Sequence, residues 1–447
     1  MSSRDIESKN TVPPAAFPLA SSLTDVADER PETTKQELPK VNARYIWFMV
    51  LAQFGVFVAF ITPLAISLSI RVQALAPGHE EYLGYITGAG AFTVMLVGPI
   101  AGVLSDRTRT KIGRRRPWMI GGTILGVLSL FVMALSPNIF ILGLGWILAQ
   151  MGWGQVLGNL QISTADRLPE SQRGKVAGLT GFATQVAPVF GVVIAGSFSQ
   201  QNLLLFLVPG LVGVVLVALF VLLVHEDDSR SRQFAEKLSL KAVGKKYLYN
   251  PKQYPDYSWN WAGRFLFYFG LTLNTTFTAF FFASKLGVGV ADVAPLIATI
   301  GGAGILATTV GALGGGFLSD RLRRRRVFVL GSAMVFAAGA VLMAFAPDMP
   351  LLIAGSLLTS VGIGGFAAVD QALLLDVLPE RDTDAGRFMS ITGFATSVPQ
   401  AFAPFIAPLI LVIGATENSK NYELLYLIAG AVTILGGLSV LRIKSVR

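Results

Sequence analysis

Two charged residues lie inside strongly apolar stretches of this sequence, and they are the first candidates for chemistry. Arg264 falls in the stretch near 259–284, and Asp370 falls in the stretch near 350–375. A charge at the centre of a membrane helix costs about 2.5–3.5 kcal/mol on insertion scales, so each needs a partner or a function. If the stretches are helices of opposite direction, both charges lie about 8–9 Å from the same side. We therefore expect a direct ion pair, in which the carboxylate can alternate between an arginine and a proton.

Amides and aromatic rings supply a second set of candidates, on two other apolar stretches. Their spacing of three or four residues places them on one face of each helix. The residues are Gln155, Asn159, Ile162 and Asp166 on one stretch, and Gln53, Phe57, Phe60 and Leu64 on the other. An amide beside aromatic rings can bind a sugar through hydrogen bonds and stacking.

Structural interpretations compete with these chemical ones. Asp370 can serve in a permanent ion pair, and the Arg264 side chain can snorkel to the membrane interface. The amides on the other two helices can act as hydrogen-bonding contacts between packed helices. The sequence alone leaves both sets of interpretations open.

The composition identifies lipid as the main solvent of the elements that carry these residues. Of the 447 residues, 53% are hydrophobic and 14% are charged, against about 25% charged residues in soluble domains. The sequence has no cysteine, which excludes disulfides and thiolate chemistry. It also has no phosphate-binding loop and no metal-ligand spacing, so we expect neither an enzyme nor a cofactor. The net charge of +9 comes from short basic runs between apolar stretches, which argues against a nucleic-acid partner.

Twelve apolar stretches are long enough to cross about 30 Å of hydrocarbon. They lie near 45–70, 82–104, 117–135, 139–164, 176–199, 203–224, 259–284, 295–318, 326–346, 350–375, 387–411 and 422–441. Each is expected to be a helix, because an open strand edge has no hydrogen-bond partner in lipid. The sequence therefore predicts an all-α polytopic membrane protein with twelve transmembrane helices.

The lysines and arginines predict the orientation of these helices. Of the 36 basic residues, 32 fall in the two tails and in the loops that share their side. This asymmetry places both termini in the cytoplasm, and we expect an integral protein of a bacterial cytoplasmic membrane. The expected domains are a disordered tail at 1–44, six-helix bundles at 45–224 and 259–441 joined by a cytoplasmic linker at 225–258, and a short tail at 442–447.

The two halves of the sequence repeat each other. Three pairs of segments match in the same order, with offsets of 214, 210 and 212 residues. The pairs are GVLSDR (102–107) with GFLSDR (316–321), DRLPE (166–170) with DVLPE (376–380), and TGFAT (180–184) with TGFAT (392–396). Parallel six-helix repeats with a substrate site at their interface are typical of alternating-access transporters.

The segment GVLSDRTRTKIGRRRPW (102–118) resembles the signature loop between helices 2 and 3 of the major facilitator superfamily. The common form has a single residue between its Asp-Arg pair and its glycine, whereas Thr108 to Ile112 stand here. The longer version is similar to that of plant sucrose/proton symporters, their animal relatives and bacterial glycoside–cation symporters. The internal repeat extends the superfamily resemblance to about 45–441.

The resemblance implies a gate at the cytoplasmic ends of the helices. Asp106 is expected to face the N-terminus of helix 11 near Gly386, where the helix dipole favours a negative charge. Three arginines of the same loop are expected to bind carboxylates on neighbouring helix ends, and Asp166 is the best candidate. The implied gate residues are Asp106, Arg107, Arg114, Arg115 and Asp166, with Asp320, Arg321 and Asp376 in the second half. The arginines can instead serve only to fix topology and to contact lipid phosphates.

The second copy of the loop departs from the pattern, because Arg323 stands where the glycine belongs.

In this superfamily helices 1, 4, 7 and 10 line the cavity, and these helices carry the candidate residues named above. The leading interpretation is a proton-coupled importer of a sugar or glycoside, with sodium as a possible coupling ion.

A proton-driven exporter of drugs or metabolites is the second interpretation. Exporters of this superfamily carry a Gly-x-x-x-Gly-Pro-x-x-Gly-Gly run on helix 5, and the segment from Ala183 to Val192 resembles it with three glycines replaced. A membrane sensor or channel without coupled transport is the third.

Overall fold

The computed structural model describes residues 39–231, 248–381, 384–415 and 420–446, apart from the side chain of Glu170. Its helices are α1 (Ala43–Leu75), α2 (Glu81–Asp106), α3 (Arg116–Ala134), α4 (Ile139–Arg167), α5 (Glu170–Ser197), α6 (Asn202–Leu223), α7 (Pro255–Thr276 and Thr278–Leu286), α8 (Ala294–Leu322), α9 (Arg325–Ala344), α10 (Met349–Val377), α11 (Ala385–Leu411) and α12 (Tyr422–Val440). Eleven are long and apolar enough to cross a membrane, and the two parts of α7 make a twelfth span. The expected twelve-helix architecture is confirmed. Most of the predicted N-terminal tail and part of the predicted linker lie outside the described residues.

Several helices extend beyond the apolar stretches that revealed them. α1 continues to Leu75 through a π-helical turn at Pro63–Ser67, so Arg71 lies in the helix and not in the following loop. Its guanidinium donates to the backbone oxygen of Ser136 at 2.5 Å. α7 begins at Pro255 instead of near 259. These ends were misplaced because hydropathy marks where lipid contact stops, whereas backbone hydrogen bonds decide where a helix stops.

The helices form two bundles with the same packing order. In the first, α4 packs on α2 and α3, while α6 packs on α1 and α3, and α1 also contacts α5. In the second, α10 packs on α8 and α9, while α12 packs on α7 and α9, and α7 also contacts α11. Each contact of one bundle has its counterpart in the other, as a duplicated unit requires.

Contacts between the bundles concentrate at the face that carries the α1–α2 loop. α2 packs on α11 and α5 packs on α8, which are repeat-related pairs. A Cβ atom at Gly84, near the start of α2, would collide with the Pro404 backbone oxygen. Between α5 and α8, a Cβ at Gly196 would lie 2.9 Å from the Cβ of Ala294. The opposite face carries the α2–α3 and α8–α9 loops, and we call it the arginine-rich face.

An ion pair reinforces the contact between bundles at the α1–α2 face. Glu81 at the start of α2 pairs with Lys420 before α12, with 3.1 Å between carboxylate and ammonium. Phe92 and Phe402 meet edge to face deeper in the same seam, with ring centroids 6.0 Å apart. The bundles are therefore joined at this face, whereas the ion pairs described below for the arginine-rich face lie within one bundle each.

Candidate functional site

A buried ion pair joins α7 to α10. The Arg264 Nε atom lies 2.6 Å from Asp370 Oδ2, and the side chains are 6% and 0% exposed. The other carboxylate oxygen accepts a hydrogen bond from Asn260 Nδ2 at 2.9 Å. Arg264 also donates to Gln371 Oε1 at 3.0 Å. The expected direct pair is confirmed, and snorkelling of Arg264 is excluded in this arrangement.

The local sequence explains how the pair is positioned. Asn260, Arg264 and Phe267 follow helical spacing on α7 and are all buried. Phe267 stacks on Phe366 of α10 with centroids 3.5 Å apart, about one turn from the charges on each helix. At about 1.5 Å per residue, Arg264 lies about 13 Å from the start of α7, and Asp370 about 10 Å from the end of α10. Arg264 lies farther from the start of its helix than the sequence predicted because α7 begins at Pro255.

A buried pair of this kind constrains the chemistry that it can perform. Two opposite charges in a low-dielectric interior stabilise each other, and removal of one partner typically lowers the stability of the fold by about 3–5 kcal/mol. Ion pairing stabilises the charged carboxylate, whereas desolvation favours the protonated one.

Aromatic rings line α7 beside this pair. Trp261 stacks on Phe265 with centroids 5.5 Å apart, and Phe265 stacks on Phe269 at 6.1 Å. All three rings are half-buried, and we call them the α7 aromatic row. The Trp261 indole donates to the Ile391 backbone oxygen of α11 at 2.9 Å, which fixes one end of the row.

The candidates on α1 separate in the structure. Gln53 is 6% exposed, and Ala52 and Val56 on the same helix are fully buried. Phe57 is half-buried. Phe60, one turn further on, stacks on Trp146 of α4 with centroids 5.6 Å apart. Phe60 is half-buried as well, and Leu64 is 37% exposed.

The candidates on α4 face α2 and α3 and not the second bundle. Asn159 accepts a hydrogen bond from Ser105 at the end of α2, with 2.5 Å between oxygens, and its amide donates to the Gln155 backbone oxygen. The Gln155 side chain lines a groove between α2, α3 and α4. A solute-binding role for Gln155 and Asn159 stays a prediction. Helical spacing identified one face, but it could not tell which neighbour that face contacts.

The gate candidates of the first bundle form one cluster at the arginine-rich face. Arg114 pairs with Asp166 at 2.7 Å and with Asp106 at 3.6 Å. Arg115, which is 2% exposed, pairs with Asp106 and lies 3.4 Å from Asp166. The expected pairing with Asp166 is confirmed for Arg114 and Arg115. In this arrangement the partners of Asp106 are these two arginines of its own bundle, and its role at the N-terminus of α11 stays a prediction.

Arg107 lies at the end of α2, where its backbone N–H closes the last turn on the Leu104 oxygen at 3.2 Å. Glu226, beyond α6, was missed by the sequence analysis. Its carboxylate accepts hydrogen bonds from the backbone N–H groups of Arg114, Arg115 and Arg116 at 3.0–3.3 Å. A carboxylate at a helix N-terminus satisfies unpaired N–H groups and the helix dipole together.

The second bundle builds the same cluster around a different arginine. Arg325 pairs with Asp376 at 2.5 Å and with Asp320 at 3.1 Å, so it bridges both carboxylates as Arg115 does. Arg321, the expected gate residue, is exposed at the end of α8. The ion pairs with these carboxylates are made by Arg325 in the first turn of α9, and a gate role for Arg321 stays a prediction.

Both loops use a left-handed residue just before these arginines. Gly113 has φ of 95° and its repeat mate Arg323 has φ of 51°. A Cβ at Gly113 would collide with the Glu226 carboxylate, so glycine is required there for two reasons. The second loop also has a positive φ at this position but without glycine, at the steric cost of a left-handed non-glycine residue.

Comparison with known proteins identifies the family. The model of the Major Facilitator Superfamily matches residues 45–314 and 296–446. The general alpha-glucoside permease of Schizosaccharomyces pombe is 34% identical over 123 residues, which cover 26% of this chain and 21% of the permease. The 3-(3-hydroxy-phenyl)propionate transporter of Escherichia coli is 30% identical over 133 residues, 30% of each chain. The matches thus span about a fifth and a third of these relatives.

The quinolone resistance protein NorA of Staphylococcus aureus (strain COL) is 23% identical over 332 residues, 73% of this chain and 79% of NorA. Among solved structures, the nucleoside transporter NupG aligns with a TM-score of 0.70 at 12% identity, over 89% of this chain and 98% of that one. A bacterial homologue of the human lysosomal transporter Spinster, in an inward-facing and unoccupied conformation, aligns at 0.59 with 16% identity, over 90% and 97%. The chain belongs to the major facilitator superfamily, and its two six-helix bundles are the two repeats of that fold.

Proposed function

We propose that this transporter works by alternating access and couples solute movement to a proton through the Arg264–Asp370 pair. The observation that carries the proposal is the complete burial of this pair between α7 and α10. In the superfamily these helices line the cavity, and the first bundle has no charged residues at the corresponding positions, Ala52 and Leu160. A charge found in one repeat only is more easily explained by function than by a shared scaffold.

The coupling step follows from the contacts of the carboxylate. Protonation of Asp370 removes the negative charge that holds Arg264, while Asn260 and Gln371 offer neutral hydrogen-bond partners to both groups. The guanidinium is then free to bind a hydroxyl group of the solute. Loss of the proton restores the pair and expels the solute, so the two events are linked.

A sugar or glycoside is the solute class that we propose for import. The α7 aromatic row and the Phe57 ring offer half-exposed flat surfaces on the two bundles, and Arg264, Gln371 and Asn260 offer polar groups nearby. The partial match to an alpha-glucoside permease supports this class.

Export of drugs or metabolites is the second candidate, favoured by the longer match to NorA. Uptake by proteoliposomes tests both candidates, with a panel of mono- and disaccharides and glycosides under imposed proton or sodium gradients. Accumulation of a sugar inside the proteoliposomes, driven by an inward proton gradient, supports import. Extrusion of a quinolone against its gradient, with no sugar accumulated, supports export instead.

A further inference from the structure

A groove opens between α2 and α3 near the arginine-rich face. Both helices pack on α4, which forms its floor. The groove has a volume of about 310 Å³, and its walls include Val97, Ala101, Trp118, Gly121, Met151 and Gln155. The walls are almost entirely apolar, since the Trp118 indole N–H is already engaged by Thr108 Oγ1 at 2.7 Å.

The second bundle carries glycines at three positions that correspond to residues of this groove. Gly311 and Gly315 are the repeat mates of Val97 and Ala101, and Gly365 is the mate of Gln155. A Cβ at Gly311 would collide with the Val361 backbone oxygen, and one at Gly315 would lie 3.1 Å from the Gly365 Cα. Glycines thus let α8 approach α10 closely, whereas larger residues stand at these positions in the first bundle.

The dimensions of the groove match one leaflet of a bilayer. Val97 lies nine residues before the end of α2, and Leu125 lies nine residues after the start of α3. At about 1.5 Å per residue the groove extends about 14 Å from the helix ends. Half of a hydrocarbon core of about 30 Å is nearly the same length.

The mouth of the groove lies beside a cationic loop. Residues 107–116 carry six lysines and arginines and no acidic residue. The carboxylates that face this loop are Asp106, Asp166, Glu226, Asp227 and Asp228, and Asp228 is occupied by Arg230. Arg109 and Lys111 stand exposed near the tip of the loop, where cations attract anionic headgroups.

We propose that this groove binds one acyl chain of an anionic phospholipid, whose headgroup lies against the α2–α3 loop. The apolar walls receive the chain, and the loop cations receive the phosphate. Trp118, whose indole ties the start of α3 to Thr108, lies between the two parts, as aromatic residues do at membrane interfaces. The proposal concerns the lipid-facing side of the first bundle and is independent of the solute and of the coupling ion.

Native mass spectrometry of the purified full chain tests this site, with phosphatidylglycerol and phosphatidylcholine of identical acyl chains as probes. A Cβ at Gly121 has no neighbour within 4 Å, and the same holds for its repeat mate Gly331. Gly121→Leu fills the groove and should weaken retention of one phosphatidylglycerol at least tenfold. Gly331→Leu is the matched control and should retain it as the unmodified chain does. Lys111→Gln with Arg109→Gln should reduce the preference for phosphatidylglycerol over phosphatidylcholine at least threefold.

A second variant separates loss of the site from loss of the fold. The chain has no cysteine, so Gly121→Cys can be purified in folded form and then blocked with benzyl maleimide. Blocking should release the retained phosphatidylglycerol. Equal retention before and after blocking would overturn the proposal, and so would equal retention of phosphatidylcholine by the unmodified chain.

Discussion

At the scale of single residues, the Arg264–Asp370 pair and the Arg325 cluster differ in how much water surrounds their charges. Asp370 is fully buried, whereas Asp376 and Asp320 are 36% and 64% exposed. Exposed pairs contribute about 0–1 kcal/mol, whereas an unpaired buried charge typically costs about 3–5 kcal/mol. The two sites therefore respond differently to loss of their arginine.

Arg264→Ala leaves the Asp370 carboxylate with Asn260 as its remaining polar partner among those described above. We expect a lower melting temperature in detergent and less inserted protein than for the double variant Arg264→Ala/Asp370→Asn, which carries no buried charge there. Arg325→Ala is the control and should cost little. A double variant as unstable as Arg264→Ala would show that the stranded carboxylate is not the cause.

The left-handed positions before α3 and α9 give a second comparison. Arg323→Gly should be neutral or stabilise the protein by up to about 1 kcal/mol, because glycine adopts positive φ without steric cost. Gly113→Arg should destabilise strongly, since its side chain meets both the strained backbone and Glu226. Thermal unfolding of both variants measures the difference. Equal destabilisation by the two exchanges would contradict this account.

At the scale of helices, the sequence predicted the transmembrane spans, which depend on hydropathy. It missed features that depend on which helices lie next to each other. All twelve spans were predictable, because an apolar stretch in lipid must be helical to pair its backbone groups. The pairing of Arg264 with Asp370 was predictable, because a charge inside a membrane helix needs a partner. The bend of 49° in α7 was not, since no proline or glycine marks Phe277, where the helix breaks. The α4 face and the role of Arg325 were also missed, because periodicity gives a face of a helix without its neighbour.

The α2 end gives a prediction about gating. Asp106→Asn should leave the protein folded, because the residue lies at a helix end among arginines with other partners. Transport should fall, and a cysteine placed at Phe57 should become more accessible from the arginine-rich face, since the charge that favours closure there is lost. Asp320→Asn is the matched control in the second repeat and should have a smaller effect. Unchanged transport and accessibility in Asp106→Asn would leave this loop with a topological role alone.

At the scale of the whole molecule, the basic residues predict the orientation in the membrane. Asp227 in the α6–α7 connection is fully exposed, and Val288 in the α7–α8 loop is 44% exposed. Single cysteines at these positions should react with a membrane-impermeant maleimide from opposite sides, the one at 227 only from the cytoplasm. The absence of native cysteine removes background labelling. Labelling of both from one side would overturn the twelve-span topology.

The arrangement of the bundles connects orientation to mechanism. They meet at the α1–α2 face through α2–α11 and α5–α8, while each arginine cluster is closed within its own bundle. If the arginine-rich face is cytoplasmic, the contacts described here join the bundles at the opposite, external face.

The decisive measurement is solute transport by Asp370→Asn in proteoliposomes, normalised to inserted protein, with and without a pH gradient. Asparagine keeps the size of the side chain and one of the two acceptor oxygens, which bind Asn260 and Arg264, but it cannot exchange a proton. We expect gradient-driven accumulation to be abolished while counterflow exchange of the same solute continues. Asp348→Asn, which alters the N-cap of the same helix, should retain both. Full accumulation driven by the pH gradient in Asp370→Asn would contradict the coupling role and return the pair to a structural one.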